Sequence, residues 1–274
     1  MAGCLTITVA LGLWSFWLEP ASLRLREECI PIAAPLRQPL RIAILTDLHV
    51  GSPYNGLHKL DEIVSRTNAA APDLVLVLGD LVIQGVVGGT FVAPEEIARK
   101  LGSLKPRSGT FAVLGNHDAW LGASRVTSAL TSHGIEVMED RAVKVQTQAG
   151  AIWLAGVSDF ATGRHDVVAA LAAVTGDPAP LLVMTHNPDI FPDVPARVNL
   201  TIAGHTHGGQ VYVPMIGRPI IPSRYGQRFA AGQIIESGRL LYVATGTGTS
   251  IIPVRFGVPP TIDVLTVVSS CDAT

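Results

Sequence analysis

The sequence predicts an α/β (α+β) fold: two mixed sheets face to face, with helices on their outer faces and a hydrophobic helix in front of them. Three observations predict it. Short, nearly continuous β-branched and leucine-rich runs recur between residues 41 and 203, as expected of strands buried on both faces. Helix-like stretches alternate with the first of these runs. From residue 136 onward the pattern changes to short strands and turns, so the later part reads as hairpins added to an alternating α/β core.

Taken in order, residues Ala2 to Leu18 carry no charge and include Trp14, Phe16 and Trp17 just before Glu19-Pro20. A helix of that length spans roughly 25 Å, the lower limit for crossing a bilayer, and the aromatic cluster fits an interfacial belt. No Lys or Arg precedes the run and no A-x-A site follows it, which weakens a signal-peptide reading. The segment is expected to associate the protein with a membrane. Arg24, Arg26, Arg37 and Arg41 behind it would keep the body of the chain on the cytoplasmic side. Residues 1–38 read as this segment and a linker, and residues 39–274 as one domain.

Within that domain, Arg41–Thr46 and Asp73–Leu78 are the first strand runs, separated by Leu57–Ala70 with Leu57, Leu60, Ile63 and Val64 on one helical face. Pro94–Leu101 reads as a helix opened by its proline. Thr110–Leu114, Pro180–Thr185 and Val198–Ala203 are further strand runs. Glu136–Val145, Ala151–Gly156, Gly232–Val243 and Thr261–Val267 are the short strands of the second half.

Five of the strand runs end in metal-ligand side chains. Asp47-x-His49 follows the first, Gly79-Asp80 the second, and Gly115-Asn116-His117-Asp118 the third. His186 and Gly204-His205-Thr206-His207 follow the last two. Open α/β sheets place their ligand sites at the carboxyl ends of strands. Carboxylate, imidazole and amide oxygen suit Mn, Fe, Zn or Ni, and no thiolate is present to select a softer metal. Singly, each residue could be a helix cap or a hydrogen-bonded core histidine. Seven in this arrangement point to a two-metal site. His58, His133 and His165 lack partner spacing and read as solvated.

The order and spelling of these clusters resemble the calcineurin-like metallophosphoesterases over roughly residues 40–268. Thr185-His-Asn-Pro-Asp189 and Gly204-His-Thr-His-Gly-Gly-Gln210 look like the membrane-associated bacterial branch, some members of which cleave UDP-2,3-diacylglucosamine at its pyrophosphate in lipid A biosynthesis. The resemblance implies a four-layer α/β/β/α sandwich and two divalent ions. It implies Asp80 as the bridging carboxylate, with Asp47, His49 and His207 completing one ion and Asn116, His186 and His205 the other. Two ions roughly 3.5–4 Å apart clamp the attacking and leaving oxygens of a phosphoryl displacement and lower the pKa of a bridging water. Residues i and i+2 on an extended chain point the same way, so Asp47 and His49 would reach one ion. For His205 and His207 the resemblance sends the rings to different ions, so that loop must turn. His117 would face the substrate, stabilising charge or protonating the leaving oxygen, with Asp118 holding its tautomer. The purple acid phosphatase branch carries an iron-binding tyrosine three residues after the bridging aspartate. Here that position is Ile83, so a ferric tyrosinate is not expected.

Composition agrees with one compact enzyme. Hydrophobic residues make up 48% and charged residues 15% of 274, enough for a sizeable core, and no low-complexity linker separates the ligands. A net charge of −2 argues against nucleic acid as a partner. Cys4, Cys29 and Cys271 are far apart and make neither a disulfide framework nor a zinc knuckle.

Two segments could touch substrate. Leu81–Val92 is glycine-rich, apolar and uncharged, suiting either packing or a lip for acyl chains. Arg218, Arg224 and Arg228 could grip a phosphate or diphosphate, or be merely solvated. The expectation is a dimetal phosphoesterase acting on a phosphodiester or pyrophosphate, with a lipid-linked substrate as one form. The alternative is a non-catalytic membrane-attached scaffold, which would be expected to have lost ligands.

Overall fold

The computed structural model describes residues 2–270 except residue 164. Two six-stranded mixed sheets form its centre. In the first, β1 (Arg24–Ile32), β12 (Thr261–Ser269), β2 (Leu40–Leu45), β3 (Leu74–Val77), β4 (Thr110–Ala112) and β5 (Glu136–Val137) lie side by side in that order. All neighbours are parallel except β12 and β2. In the second, the order is β10 (Gly232–Glu236), β11 (Arg239–Val243), β9 (Leu200–Ala203), β8 (Leu181–Thr185), β7 (Gly150–Val157) and β6 (Arg141–Thr147), with antiparallel pairs at both edges.

Both faces of each sheet are buried, which is why the central strands are apolar throughout instead of alternating. Ile42 and Ile44 of β2 and Leu182 and Met184 of β8 meet between the sheets. Their neighbours Ala43 and Leu45 point the other way, against Leu60, Ile63, Ile97, Leu101, Val126 and Leu130 of the helices Leu57–Ala69, Pro94–Leu101 and Asn116–Thr131. Leu181 and Val183 pack outward on Val167, Phe191 and Phe229 of short helical turns. The expected four layers are therefore present.

Four differences from the sequence reading have physical causes. Arg24–Ile32 is not linker but the edge strand of the first sheet, paired along its length with Thr261–Ser269. Only Ile30 and Ile32 of that strand carry its buried face, too short an apolar signal to read. The helix Asn116–Thr131 was not foreseen, because it opens on polar residues and is interrupted at Gly122, where φ is 139°. The Glu136–Val145 stretch is two strands in different sheets, so the chain crosses the sandwich there. Finally, Ala2–Leu13 is helical and continues as a π-type turn, Trp14–Leu18, yet no helix among the described residues is long and apolar enough to cross a membrane. The bilayer-spanning reading is thus not supported. Cys29 is an exposed free thiol; Cys271 and the side chain of Cys4 lie outside the described residues.

Candidate metal centre

Five loops at the carboxyl ends of β2, β3, β4, β8 and β9 converge on one point between the tops of the two sheets. Glycines let them approach. A Cβ on Gly79 would lie 2.2 Å from the Gly115 nitrogen, and one on Gly204 2.0 Å from Thr46 Oγ1. Asp47, His49, Asp80, His205 and His207 all have left-handed backbone, with φ of 49°, 38°, 52°, 68° and 50°. Side chains other than glycine rarely adopt this conformation, and such strain gathers at functional sites. Asp47 and His49 therefore converge through a coiled loop and not as alternate residues of an extended strand. The His205–His207 loop does turn, as required.

Three groups of side chains stand close enough to hold an ion: Asp47 with His49 and His207, His49 with Asp80 and His117, and Asp80 with His186 and His205. Asp80 Oδ2 lies 3.3 Å from His186 Nε2 and 3.5 Å from His49 Nε2, between the first and last groups. His207 Nε2 is 3.4 Å from Asp47 Oδ1 and 3.1 Å from His49 Nε2, while His205 Nδ1 is 3.0 Å from His186 Nε2. Ring nitrogens facing one another this closely need a cation or a proton between them. Asp47 Oδ1 and Asn116 Oδ1 are buried with no hydrogen-bond partner. Orphaned acceptors in such a place fit a resident cation. The donor set suits the expected divalent ions.

Neighbours aim these ligands. Thr46 Oγ1 and the His205 N–H donate to Asp47 Oδ2 at 2.8 and 2.9 Å, leaving Oδ1 free to ligate. His186 Nδ1 lies 2.6 Å from the Leu78 carbonyl, which fixes the tautomer that presents Nε2. The His117 N–H, at the start of a helix, donates to Asp80 Oδ1 at 2.9 Å. Burial lowers His49 to about 4, and burial together with His186 lowers His205 to about 3, so both are neutral ligands near neutral pH. Burial opposes charge on Asp80 and His186 as well, yet their mutual attraction wins. It holds Asp80 well below and His186 well above their ordinary values.

His117 is near the cluster, its Nε2 3.9 Å from Asp80 Oδ2, and its ring packs 5.1 Å from Trp120. Asp118 does not hold that ring. Its carboxylate accepts from the Gly115, Leu81 and Val82 N–H groups at 3.0, 2.9 and 3.3 Å, and His117 Nδ1 has no partner. Asp118 ties the helix start to the loop after Asp80 because a buried carboxylate beside three backbone donors satisfies them first. Ile83 is buried in that loop.

Several contributors escaped the sequence reading. Gly248 N–H donates to the Asp47 carbonyl at 2.7 Å, and a Cβ on Gly246 would lie 2.6 Å from Asp47 Cβ. This glycine loop is gripped by fully buried Arg255, which donates to the carbonyls of Thr245, Gly246, Gly248 and Val258. Asp189 accepts from Ser223 Oγ and the Arg224 N–H, at 2.5 and 2.8 Å, and so anchors the loop after the last ligands. The Gly-Thr-Gly-Thr spelling at residues 246–249 was the available signal. Of the three candidate arginines, Arg228 pairs with Glu236, Arg224 lies over Phe160, and Arg218 donates to the Gly208 carbonyl. None lines the cavity over the metal ligands, a space of about 270 Å³ bounded by Asp80, Asn116, His117, Trp120, His205 and His207. In Leu81–Val92, Leu81, Val82, Ile83 and Val86 are buried and Val87 and Phe91 exposed, so much of the segment is packed loop. His133 Nδ1 caps the Ala129 carbonyl, and His165 packs on Phe160.

The calcineurin-like phosphoesterase family profile matches residues 40–209. The chain is 30% identical over 270 residues to phosphodiesterase YaeI of Escherichia coli (strain K12), covering 96% of this chain and 95% of that protein. It is 29% identical over 276 residues to the uncharacterized metallophosphoesterase YkuE of Bacillus subtilis (strain 168), covering 98% and 93%. Neither relative is named for the diacylglucosamine cleavage that the sequence led us to expect. With the matched region running from the start of β2 to the last ligand loop, the chain belongs to the calcineurin-like phosphoesterases and is a metal-dependent hydrolase of phosphoesters.

Proposed function

We propose that the chain is a two-metal phosphodiesterase, with Asp47, His49, Asp80 and His207 around one ion, Asp80, Asn116, His186 and His205 around the other, and His117 acting at the leaving oxygen. The observation that carries this reading is the position of Asp80, in reach of both His49 and His186. Ions held there would neutralise the phosphoryl oxygens and lower the pKa of the attacking water. The protein's own part is to fix geometry: left-handed backbone at five ligands and buried hydrogen bonds to Asp47 and His186 leave little to reorganise. His117 Nε2 faces the cluster from the cavity side, within reach of a phosphoryl or leaving oxygen lodged between it and Asp80.

Two cavities favour a diester over a monoester. Beside the space over the ligands lies another of about 480 Å³, lined by Gly115, Ser124, Glu139, Asp159 and Thr162. Trp120 borders both, so a phosphorus at the ligands has room for a substituent on each side. Among the described residues no arginine lines the cavity over the ligands, which favours a single phosphate over a diphosphate. The scaffold alternative has nothing to support it, since no ligand position has been lost.

The test is hydrolysis of a bis-aryl phosphodiester, an aryl phosphomonoester and a nucleoside diphosphate ester by metal-reconstituted protein. Diester cleavage that a chelator abolishes and Mn²⁺ or a similar ion restores is the expected result. Cleavage surviving exhaustive chelation, or a clear preference for the monoester, overturns the reading.

A further inference from the structure

The N-terminal helix presents an apolar surface that the domain does not cover. No residue from Leu5 to Leu18 is buried. Nine large apolar side chains there are exposed, from Leu5 at 68% to Trp14 at 44%. At 100° per residue, Leu5, Ile7, Val9, Leu11 and Leu13 already point to different sides of the helix. An amphipathic helix seated in a protein groove carries one apolar stripe; a helix apolar on every side requires an apolar medium all round.

The root of this helix is fixed. Glu19 is buried and accepts from the Val258 N–H at 2.7 Å and from Trp14 Nε1 at 2.5 Å, and the Arg255 N–H donates to the Ser15 carbonyl at 2.9 Å. At the same root lies a cavity of about 400 Å³ lined by Arg24, Arg26, Arg218 and Val258. Buried Asp263 pairs with Arg26 at 2.6 Å and buried Glu19 holds the Val258 N–H, so three arginines border this space against two buried acids. Burial, with Arg26 close by, lowers the pKa of Arg218, as expected where a cation lacks its full complement of anions.

The segment that bonds the root also reaches the metal centre. Residues 250–256 run from Arg255 back to Ile251 and Ile252, both exposed, and Ile251 borders the cavity over the ligands. Exposed Val87 joins them, its N–H donating to the Ile251 carbonyl at 2.9 Å, and exposed Ile220 lies across the same cavity. Exposed apolar side chains therefore lie both on the helix and at the mouth of the centre, joined through residues 250–256, with arginines at the root of the helix.

We propose that this face seats on an anionic phospholipid surface: the helix enters the apolar layer from one side, and the Arg24–Arg26–Arg218 cavity receives a lipid phosphate. Lipid satisfies both halves, since it supplies hydrocarbon around the helix and anions at its base. The mouth of the metal centre then lies beside the surface. The proposal does not depend on which phosphoester the centre cleaves.

The experiment is flotation of the metal-loaded full chain with vesicles of phosphatidylcholine, with and without phosphatidylglycerol. Hydrolysis of a soluble bis-aryl diester reports that each protein is folded, and sedimentation velocity without vesicles reports its oligomeric state. Wild type is expected to float with both vesicles and more strongly with phosphatidylglycerol. Leu11→Glu/Phe16→Glu should stay at the bottom while hydrolysing the soluble diester normally. Arg24→Ala should weaken partitioning on phosphatidylglycerol by about fivefold and leave neutral vesicles unaffected. Active protein that stays at the bottom with both vesicles overturns the proposal, as does flotation that the helix variant does not reduce. A wild-type dimer that the helix variant dissolves would assign this face to a second copy and overturn it too. Binding blind to phosphatidylglycerol and to Arg24 overturns the headgroup cavity. Loss of diester hydrolysis in wild type with flotation intact would overturn the proposed function alone.

Discussion

At the scale of single residues, ligand and acid should separate cleanly. Asp80→Asn removes the one carboxylate in reach of both ligand groups. It should lose metal and activity together, as read by elemental analysis alongside the rate. His117→Ala should keep its metal and lose rate by roughly 10²–10⁴, with a smaller loss for better leaving groups. An identical loss for poor and good leaving groups would remove the proton-donor role. The proton held by His186 and Asp80 adds a third expectation. A cation entering beside them competes with that proton, so loading should release acid into a weak buffer, and metal affinity should fall as pH is lowered. Affinity independent of pH would contradict it. Arg255 is a residue of another kind. Removing it leaves several buried carbonyls unpaired around the loop behind Asp47. Arg255→Met should cost at least about 3 kcal/mol, read by denaturant unfolding, and should weaken metal binding as well.

At the scale of elements, the centre is a meeting of loops made possible by glycine. Gly204→Ala would drive a methyl group into Thr46 Oγ1 and Asp47 Oδ2, and Gly115→Ala into the Asp80 side chain. Both variants should fold with strands intact yet lose metal affinity, by roughly the 10–100-fold expected when the groups that orient ligands are disturbed. Circular dichroism unchanged beside a weakened metal titration is the expected pair of results. The same elements show what could be read from sequence. Runs such as Leu74–Val77 were legible because burial on both faces makes them apolar throughout, and the ligands were legible because polar residues follow those runs abruptly. Arg24–Ile32 was hidden because an edge strand needs few buried residues. Asp118 was misassigned because spacing shows that a carboxylate is near a histidine but not which donors it meets first. Arg255 was invisible because its partners are backbone carbonyls, which carry no residue type to recognise.

At the scale of the whole molecule, the proposed ligands come from both sheets, so metal binding should report on the entire sandwich. Asp47, Asp80 and Asn116 follow strands of the first sheet, and His186, His205 and His207 follow strands of the second. A cation that binds only the native state should raise the unfolding temperature with rising concentration and stabilise by roughly 2.7 kcal/mol at a hundredfold excess over its dissociation constant. One cooperative transition should persist with and without chelator. Two separated transitions would mean that the sheets unfold independently.

The strand order carries one more consequence. β12 lies between β1 and β2, so the last strand described is the one that joins the first to the rest of its sheet. Every proposed ligand has been synthesised by residue 207, yet the strand that closes the first sheet begins at Thr261. A nascent chain halted on the ribosome before that point would hold the whole reactive cluster while Ile30 and Ile42 still lacked the neighbour between them. Assembly of the centre is thus deferred until Thr261–Ser269 has been made, and a chain released before that strand should be cleared by proteases instead of escaping as an active fragment.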